Sequence, residues 1–362
     1  MQLTAKKAKP VVGLEIAGDS IAAAEVKGQS GELGKVAVAP LPDGAFRDGE
    51  VTDPEALAET IRTLFSTQKL SRRVRLGIAN QRVVVRTLRL PAIDDPAEQE
   101  AAVRFQAQEQ VPMPLDQAVL DYRVVGGGPA TEDSGPTIDV ILVAARREMV
   151  EATLAPLRKA GLQPVGIDLS AFGLIRALGE AGPVASEVDN EGGEATRPEG
   201  AVLYCNLGDT TNLAVSRRRS CLFTRVAPVG LGDIAEQLAT RTGLSPEHAR
   251  MWLQHVGLSQ PPAEISGDPG VVAASREVLS AGIEALQAEL RLSLDFYAAQ
   301  EGAAPVEKVI LSGQGIMVPG FGEAVQSGFH IPFESRVPEA LRGFDGPTAA
   351  RLTLSYGIAL ES

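Results

Sequence analysis

Cysteine, histidine, basic charge and long apolar runs are all scarce in this sequence. Its 362 residues include two cysteines, Cys205 and Cys221, which excludes a disulfide-stapled secreted scaffold. They flank a turn region and could face each other across a hairpin, although cysteine usage alone favours two buried thiols. The histidines, His248, His255 and His330, form no zinc spacing. No stretch approaches the roughly 18–20 apolar residues of a membrane span. The first ten residues carry lysines but no apolar segment of a secretory signal. The chain stops at Ser362 without an amphipathic tail, so a cytoplasmic location is the expectation. Lys and Arg number 34 against 46 Asp and Glu, a net charge of −12. A basic surface for phosphate backbones is therefore not indicated, and nucleic acid is not an expected partner. What is present is ordinary globular material, 44% hydrophobic and 22% charged. At roughly 150 residues per domain, the length predicts two to three domains.

The pattern along the chain is mixed α/β. Val11–Ile16 and Ile21–Val26 are short apolar runs separated by Ala17-Gly18-Asp19-Ser20, the signature of a hairpin. Val36–Leu41 is a third strand. A helix begins near Pro54, capped by Thr52 or Asp53, with Leu57, Ile61, Leu64 and Phe65 at helical spacing. A strand follows at Val74–Ala79. Val83–Leu90, a helix over Pro96–Gln110, strands at Val119–Val125 and Ile138–Ala145, and a helix over Arg147–Ala160 form a compact insert spanning 83–165. Gly126–Pro136 reads as a glycine-rich loop, and Gly182–Gly200 as a mobile acidic one. Strands at Ala201–Leu207, Leu213–Ser216 and Cys221–Val226 surround two turns, the second being Arg217-Arg218-Arg219, a solvated tip. A helical region then runs to about Gln300; Leu279, Ile283, Leu286, Leu290, Leu294 and Tyr297 make one apolar stripe. Val306–Leu311 is a buried strand, and a last helix covers Pro347–Ile358.

Two of these hairpins resemble each other: Gly13-Leu14-Glu15-Ile16-Ala17-Gly18-Asp19-Ser20 and Cys205-Asn206-Leu207-Gly208-Asp209-Thr210-Thr211-Asn212. A turn of small residues lets backbone N–H groups approach a phosphate, and Ser or Thr adds a hydroxyl. A carboxylate at the strand end can serve Mg²⁺. Either hairpin alone is a common turn. Two copies followed by Leu311-Ser312-Gly313-Gln314-Gly315 after a later strand are more specific.

This order resembles the actin-like ATPase superfamily, and within it the FtsA-related PilM family of type IV pilus assembly. The insert carries most of that likeness: Val83–Pro91, Gln106–Pro114, Leu120-Asp121-Tyr122, Val140–Ala145, Ala160-Gly161-Leu162 and Val165-Gly166-Ile167-Asp168, with Ser293–Tyr297 later. The resemblance implies a two-lobed actin-like, ribonuclease H-like α/β fold with an inserted small α+β subdomain. The first lobe would take 1–82 with 166–199 and 336–362, and the insert 83–165. The second lobe would take 200–229 with 304–335, and its helical subdomain 230–303. ATP with Mg²⁺ would lie between the lobes. Gly18, Asp19 and Ser20 would meet the phosphates from one side, and Gly208, Asp209 and Thr210 from the other. Gly313 and Gly315 would pass under the adenosine. Glu15 would serve the metal, and Asp168 would lie near metal or water as the one catalytic candidate.

The departures from the family pattern are specific. Glu15 and Ala17 stand for its Asp and Gly; Asn206 stands for an acid, and an amide contributes neither base nor charge. Arg250 and Leu253 stand where relatives often place an acid and a Lys. ATP binding with weak or absent hydrolysis is the expectation. As partner, the family implies the N-terminal cytoplasmic segment of a PilN-like inner-membrane protein. That segment would lie in a groove between the first lobe and the insert, with Arg86, Arg89, Phe105 and Glu109 as lining residues. Contact with the pilus motor ATPases and self-association are left open. The rivals are a sugar or acetate kinase of the superfamily and an FtsA-like division filament.

Overall fold

The computed structural model describes residues 9–28, 31–128, 135–179, 200–300 and 302–361. The acidic stretch read as a mobile loop lies, but for Gly200, outside the described residues. So do residues 1–8 and part of the loop at 126–136.

The first lobe opens with β1 (Val11–Ile16), β2 (Ser20–Lys27) and β3 (Glu32–Pro40), an antiparallel meander. A two-strand ribbon, β4 (Phe46–Arg47) and β5 (Glu50–Val51), leads into α1 (Pro54–Gln68), and β6 (Arg73–Ile78) then runs parallel to β1. Asp53 caps α1, accepting from the N–H groups of Glu55 and Ala56 at 3.0 Å each. Asp53→Ala is expected to cost about 1 kcal/mol of stability, read by urea unfolding.

The insert follows: β7 (Val84–Pro91), α2 (Pro96–Gln110), β8 (Ala118–Gly128) and β9 (Thr137–Arg146), with strand order β7-β9-β8. β8 runs through the first glycines of the expected loop, because Gly126–Gly128 still pair with Asp139–Thr137 beyond a bulge. α2 lays Val103 and Ala107 onto Leu88, Leu90, Val140 and Leu142. The chain returns through α3 (Arg147–Lys159), β10 (Gln163–Leu169) and α4 (Ser170–Leu178). Leu157 of α3 packs with Ile61 and Leu64 of α1, and β10 pairs with β6, giving the first sheet the order β10-β6-β1-β2-β3. Part of the stretch expected in the insert, the end of α3 and the start of β10, thus packs with the first lobe. β10 escaped the sequence reading because Pro164 and Gly166 interrupt its pattern.

The second lobe repeats the plan. β11 (Ala201–Leu207), β12 (Thr211–Arg217) and β13 (Ser220–Ala227) form the meander, and α5 (Leu231–Thr242), α6 (Pro246–Val256) and α7 (Pro269–Ala298) follow. β14 (Val306–Ser312) runs parallel to β11, and α8 (Phe321–Gln326) and β15 (Phe333–Ser335) complete the sheet β13-β12-β11-β14-β15. The predicted stripe on α7 faces this core, with Leu279, Leu286 and Leu290 buried. Cys205 and Cys221 do not face each other: β12 lies between their strands, and they belong to cores on opposite faces of the sheet. Both are buried free thiols, and burial pushes Cys221 up to about 12.

The layers alternate. α1 and α3 cover one face of the first sheet, and α5 to α8 cover the outer face of the second. Between the sheets lie α4 and the last helix, α9 (Gly346–Ala359), packed against each other. α9 lies on β1 and β2, and α4 on β12. Strand alternation turns Val12, Leu14 and Ile16 of β1 toward α1, and Gly13 and Glu15 toward α9.

Candidate functional site

A cleft of about 440 Å³ opens between the lobes, within the range of small-molecule sites. Its floor is built by the two matched hairpins. In the first, Ala17 N–H donates to the Ser20 carbonyl at 2.9 Å, closing a turn whose tip is Gly18-Asp19. In the second, Leu207 pairs with Thr211 and Gly208-Asp209-Thr210 forms the turn. The start of α5 is tied to this turn, since Leu231 N–H donates to the Gly208 carbonyl at 2.8 Å.

The two turns touch. Gly18 N–H donates to Asp209 Oδ2 at 2.8 Å across the lobes. The other carboxylate oxygen, Oδ1, accepts from Arg250 Nη2 at 2.9 Å, and Arg250 Nε lies 3.5 Å from Asp19 Oδ2. Ser20 Oγ donates to Asp19 Oδ1 at 2.7 Å and accepts from Arg351 Nε at 2.8 Å. Arg351 Nη2 also donates to the Ser20 carbonyl, and Nη1 pairs with Glu15 Oε2 at 2.6 Å. One chain of charges thus runs Glu15–Arg351–Ser20–Asp19–Arg250–Asp209–Gly18. Burial pushes the Glu15 carboxyl up, against the pull of Arg351. Burial and the adjacent Asp19 charge push Asp209 up, against Arg250. Burial lowers Arg250, but Asp209 and Asp19 more than offset it and hold the guanidinium above its ordinary value.

The cleft is lined by Glu15, Gly18, Asp19, Asn206, Gly208, Asp209, Thr210 and Gly313 among the residues expected from sequence. Ser20, Gly315 and Asp168 are not among its lining. The Ser20 hydroxyl is engaged by Arg351 and Asp19 instead of facing the cleft. Gly313 and Gly315 have a packing reason of their own. A side chain at either would collide with β11, at Asn206 and Leu207 for Gly313 and at Leu207 for Gly315. Asp168 pairs with Arg176 and caps its neighbour's amide, accepting from Leu169 N–H at 2.8 Å. Asn206 donates through Nδ2 to Ser312 Oγ at 3.1 Å. Opposite it in the ladder, Asn212 lines the cleft with a buried Oδ1 that has no partner among the described residues. A ligand hydroxyl or amine would satisfy that acceptor.

The donor set does not form a resident Mg²⁺ site. Glu15 is committed to Arg351, Asn206 is neutral, and no group of three metal-ligating side chains converges among the described residues. Glu15, the residue expected to serve the metal, pairs with Arg351 instead. Arg351 carries no local motif, and only its position against Glu15, far away in sequence, reveals it; Arg250, noted from sequence as a departure, turns out to pair with Asp209.

The four residues expected to line a partner groove do not converge on one face. Arg86 and Arg89 are three apart on β7, so alternation turns them to opposite faces. Arg89 pairs with Asp139 at 2.8 Å, and Arg86 donates to the Val85 carbonyl. Phe105 and Glu109 do share the outer face of α2, and Phe105 is 67% exposed, so it is no core aromatic.

Known proteins match this architecture throughout. A solved "PilM-PilN type IV pilus biogenesis complex" contains a chain 26% identical, with a TM-score of 0.75, covering 96% of this chain and 97% of that one. The ethanolamine utilization protein EutJ from Carboxydothermus hydrogenoformans shares the fold at TM-score 0.54 and 15% identity, over 98% and 90% of the two chains. So does MreB5 of Spiroplasma citri, solved bound to ADP, at TM-score 0.50 and 12% identity, over 96% and 94%. The fold is thus the actin-like one. The sequence model of the family described as type IV pilus assembly protein PilM matches residues 13–338. This chain belongs to the PilM family of type IV pilus assembly proteins.

Proposed function

We propose that this chain is an actin-fold scaffold of a type IV pilus or related secretion machine. It holds ATP between its two hairpins and recruits the N-terminal tail of a PilN-like inner-membrane protein. The observation that carries the nucleotide part is the interlobe cleft floored by two equivalent turns, with Asn212 offering an unpaired acceptor. Mg²⁺ enters this reading only as the counterion of the nucleotide's phosphates. Family membership and the partner in the similar complex support the recruiting role. No helix among the described residues is long and apolar enough to cross a membrane. In this reading the scaffold works on the cytoplasmic face and reaches the membrane through its partner.

For the partner surface we propose Phe105 on α2 together with the edge strands β8 and β10 of two sheets, unpaired on one side among the described residues. β8 exposes Val119 and Val124, and β10 exposes Val165 and Ile167. An extended peptide adds to such edges through main-chain hydrogen bonds and fills alternate apolar pockets. The test is calorimetric titration of the full chain with Mg-ATP and with a synthetic PilN-like N-terminal peptide, separately and together. Peptide binding that Ile167→Asp weakens about 10-fold or more is the expected outcome. A change in peptide affinity with ATP would show that the two sites are coupled. No peptide binding in either nucleotide state refutes the recruiting role.

A further inference from the structure

We propose that Arg250 is a phosphate-binding residue of the cleft, and that the Asp209 carboxylate occupies the seat a phosphate group takes. The inference rests on the nucleotide-binding reading and adds to it a residue, a competitor and a sign.

The seat is defined by its donors. Gly18 N–H, at the tip of the first hairpin, points across the cleft and is met by Asp209 Oδ2 at 2.8 Å. Arg250 closes on the same carboxylate from α6, at 2.9 Å from Oδ1. A backbone N–H and a guanidinium converging on one oxyanion recognise carboxylate and phosphate alike, since both offer paired oxygens to a planar fork of donors. Two glycines let Asp209 approach this closely. A Cβ at Gly18 would come within 3.0 Å of Asp209 Oδ2, and one at Gly232 within 3.2 Å of Asp209 Cβ.

Arg250 has capacity to spare. Its buried Nε makes no hydrogen bond among the described residues, being 3.5 Å from Asp19 Oδ2, and its side chain is 21% exposed at the cleft wall. Two carboxylates from opposite lobes therefore share one guanidinium that neither saturates. An incoming phosphate offers more acceptor oxygens and more charge than Asp209.

The exchange has a structural consequence. The Gly18–Asp209 bond and the Asp19–Arg250–Asp209 bridge join the lobes at the cleft floor. A phosphate that takes Gly18 N–H and Arg250 removes Asp209 from both. The lobes then re-form their contact through the ligand, and binding shifts their relative position by selecting that arrangement.

The experiment is titration of the full chain with ATP, tripolyphosphate and adenosine, for wild type, Arg250→Ala, Arg250→Lys and Asp209→Asn. Circular dichroism melts confirm that each variant is folded. Arg250→Ala is expected to weaken ATP and tripolyphosphate about 10- to 100-fold, the loss of a charge-assisted contact, while adenosine is unaffected. Arg250→Lys restores part of the loss. Asp209→Asn is expected to tighten tripolyphosphate, because the competing carboxylate is gone. If ATP binds wild type and Arg250→Ala equally, or if Asp209→Asn weakens tripolyphosphate, the inference falls while the nucleotide reading stands. If wild type binds none of the three ligands, both fall.

Discussion

Gly357→Ala is expected to cost more than about 3 kcal/mol and to lower the melting temperature by about 6–12 °C. In an exposed helix the same change would stabilise by up to about 1 kcal/mol. Here α9 lies so close to α4 that a Cβ at Gly357 overlaps the carbonyl oxygen of Gly173. Gly13 on β1 is equally close to the carbonyl of Ser355 on the other side of α9. The obstacles are backbone atoms of α4 and α9, two buried helices, so no rotamer change relieves them. Because α9 bridges the two sheets, its displacement would loosen both lobes. Gly77→Ala serves as the control. Its added methyl would meet the Cδ1 end of Ile358, a side chain that can turn, and a loss of about 1 kcal/mol is expected. Thermal melts of the two variants check this; a Gly357→Ala melt within about 2 °C of wild type would refute the tight seating of α9.

Arg351→Met is expected to cost about 3–5 kcal/mol, because it leaves the Glu15 carboxylate in the interior without its counterion. Arg351 is only 7% exposed and also holds the Ser20 hydroxyl and carbonyl, so the first turn loses its support as well. The paired change Glu15→Leu with Arg351→Met removes both charges, and most of the loss is expected to return. The pH dependence of the single variant has a definite sign. Burial already raises the Glu15 carboxyl, and Asp19 and Asp209 act in the same direction once the guanidinium is gone. Between the ordinary and the raised value, the folded state holds more protons than the unfolded one. Stability of the variant therefore falls as pH rises through that window and recovers below it. Urea unfolding at pH 5 and pH 8 measures it: a deficit that is equal at both values, or under about 1 kcal/mol, contradicts a buried ion pair.

Much of the cleft could be read in one dimension. The turns at Gly18-Asp19 and Gly208-Asp209 follow from glycine and Asp between short apolar runs, and the structure brings both to one cleft. What could not be read is which of their groups face a ligand. Ser20 was expected at the phosphates, yet its hydroxyl is held by an arginine 331 positions later. Asp168 is expected near metal or water, yet its partner is Arg176, in the helix that directly follows. For Arg86 and Arg89 the strand period already placed them on opposite faces, and the structure keeps them there.

Local periodicity and turn chemistry by themselves determined the elements. β1, α2 and β11 fall at the residues their patterns predict, because strand alternation, Pro at the first helical turn and capping Asp act over a few residues. The same patterns determined that Glu15 sits near a strand end and Asp209 in the turn between two strands. Tertiary structure alone decided what those acids do. A period says which face a side chain takes, not what covers that face. Arg351 reaches Glu15 across 336 positions, and Arg250 reaches Asp209 across 41, only because α9 and α6 are packed where they are. Charge neutralisation depends on distance through space, and folding sets that distance.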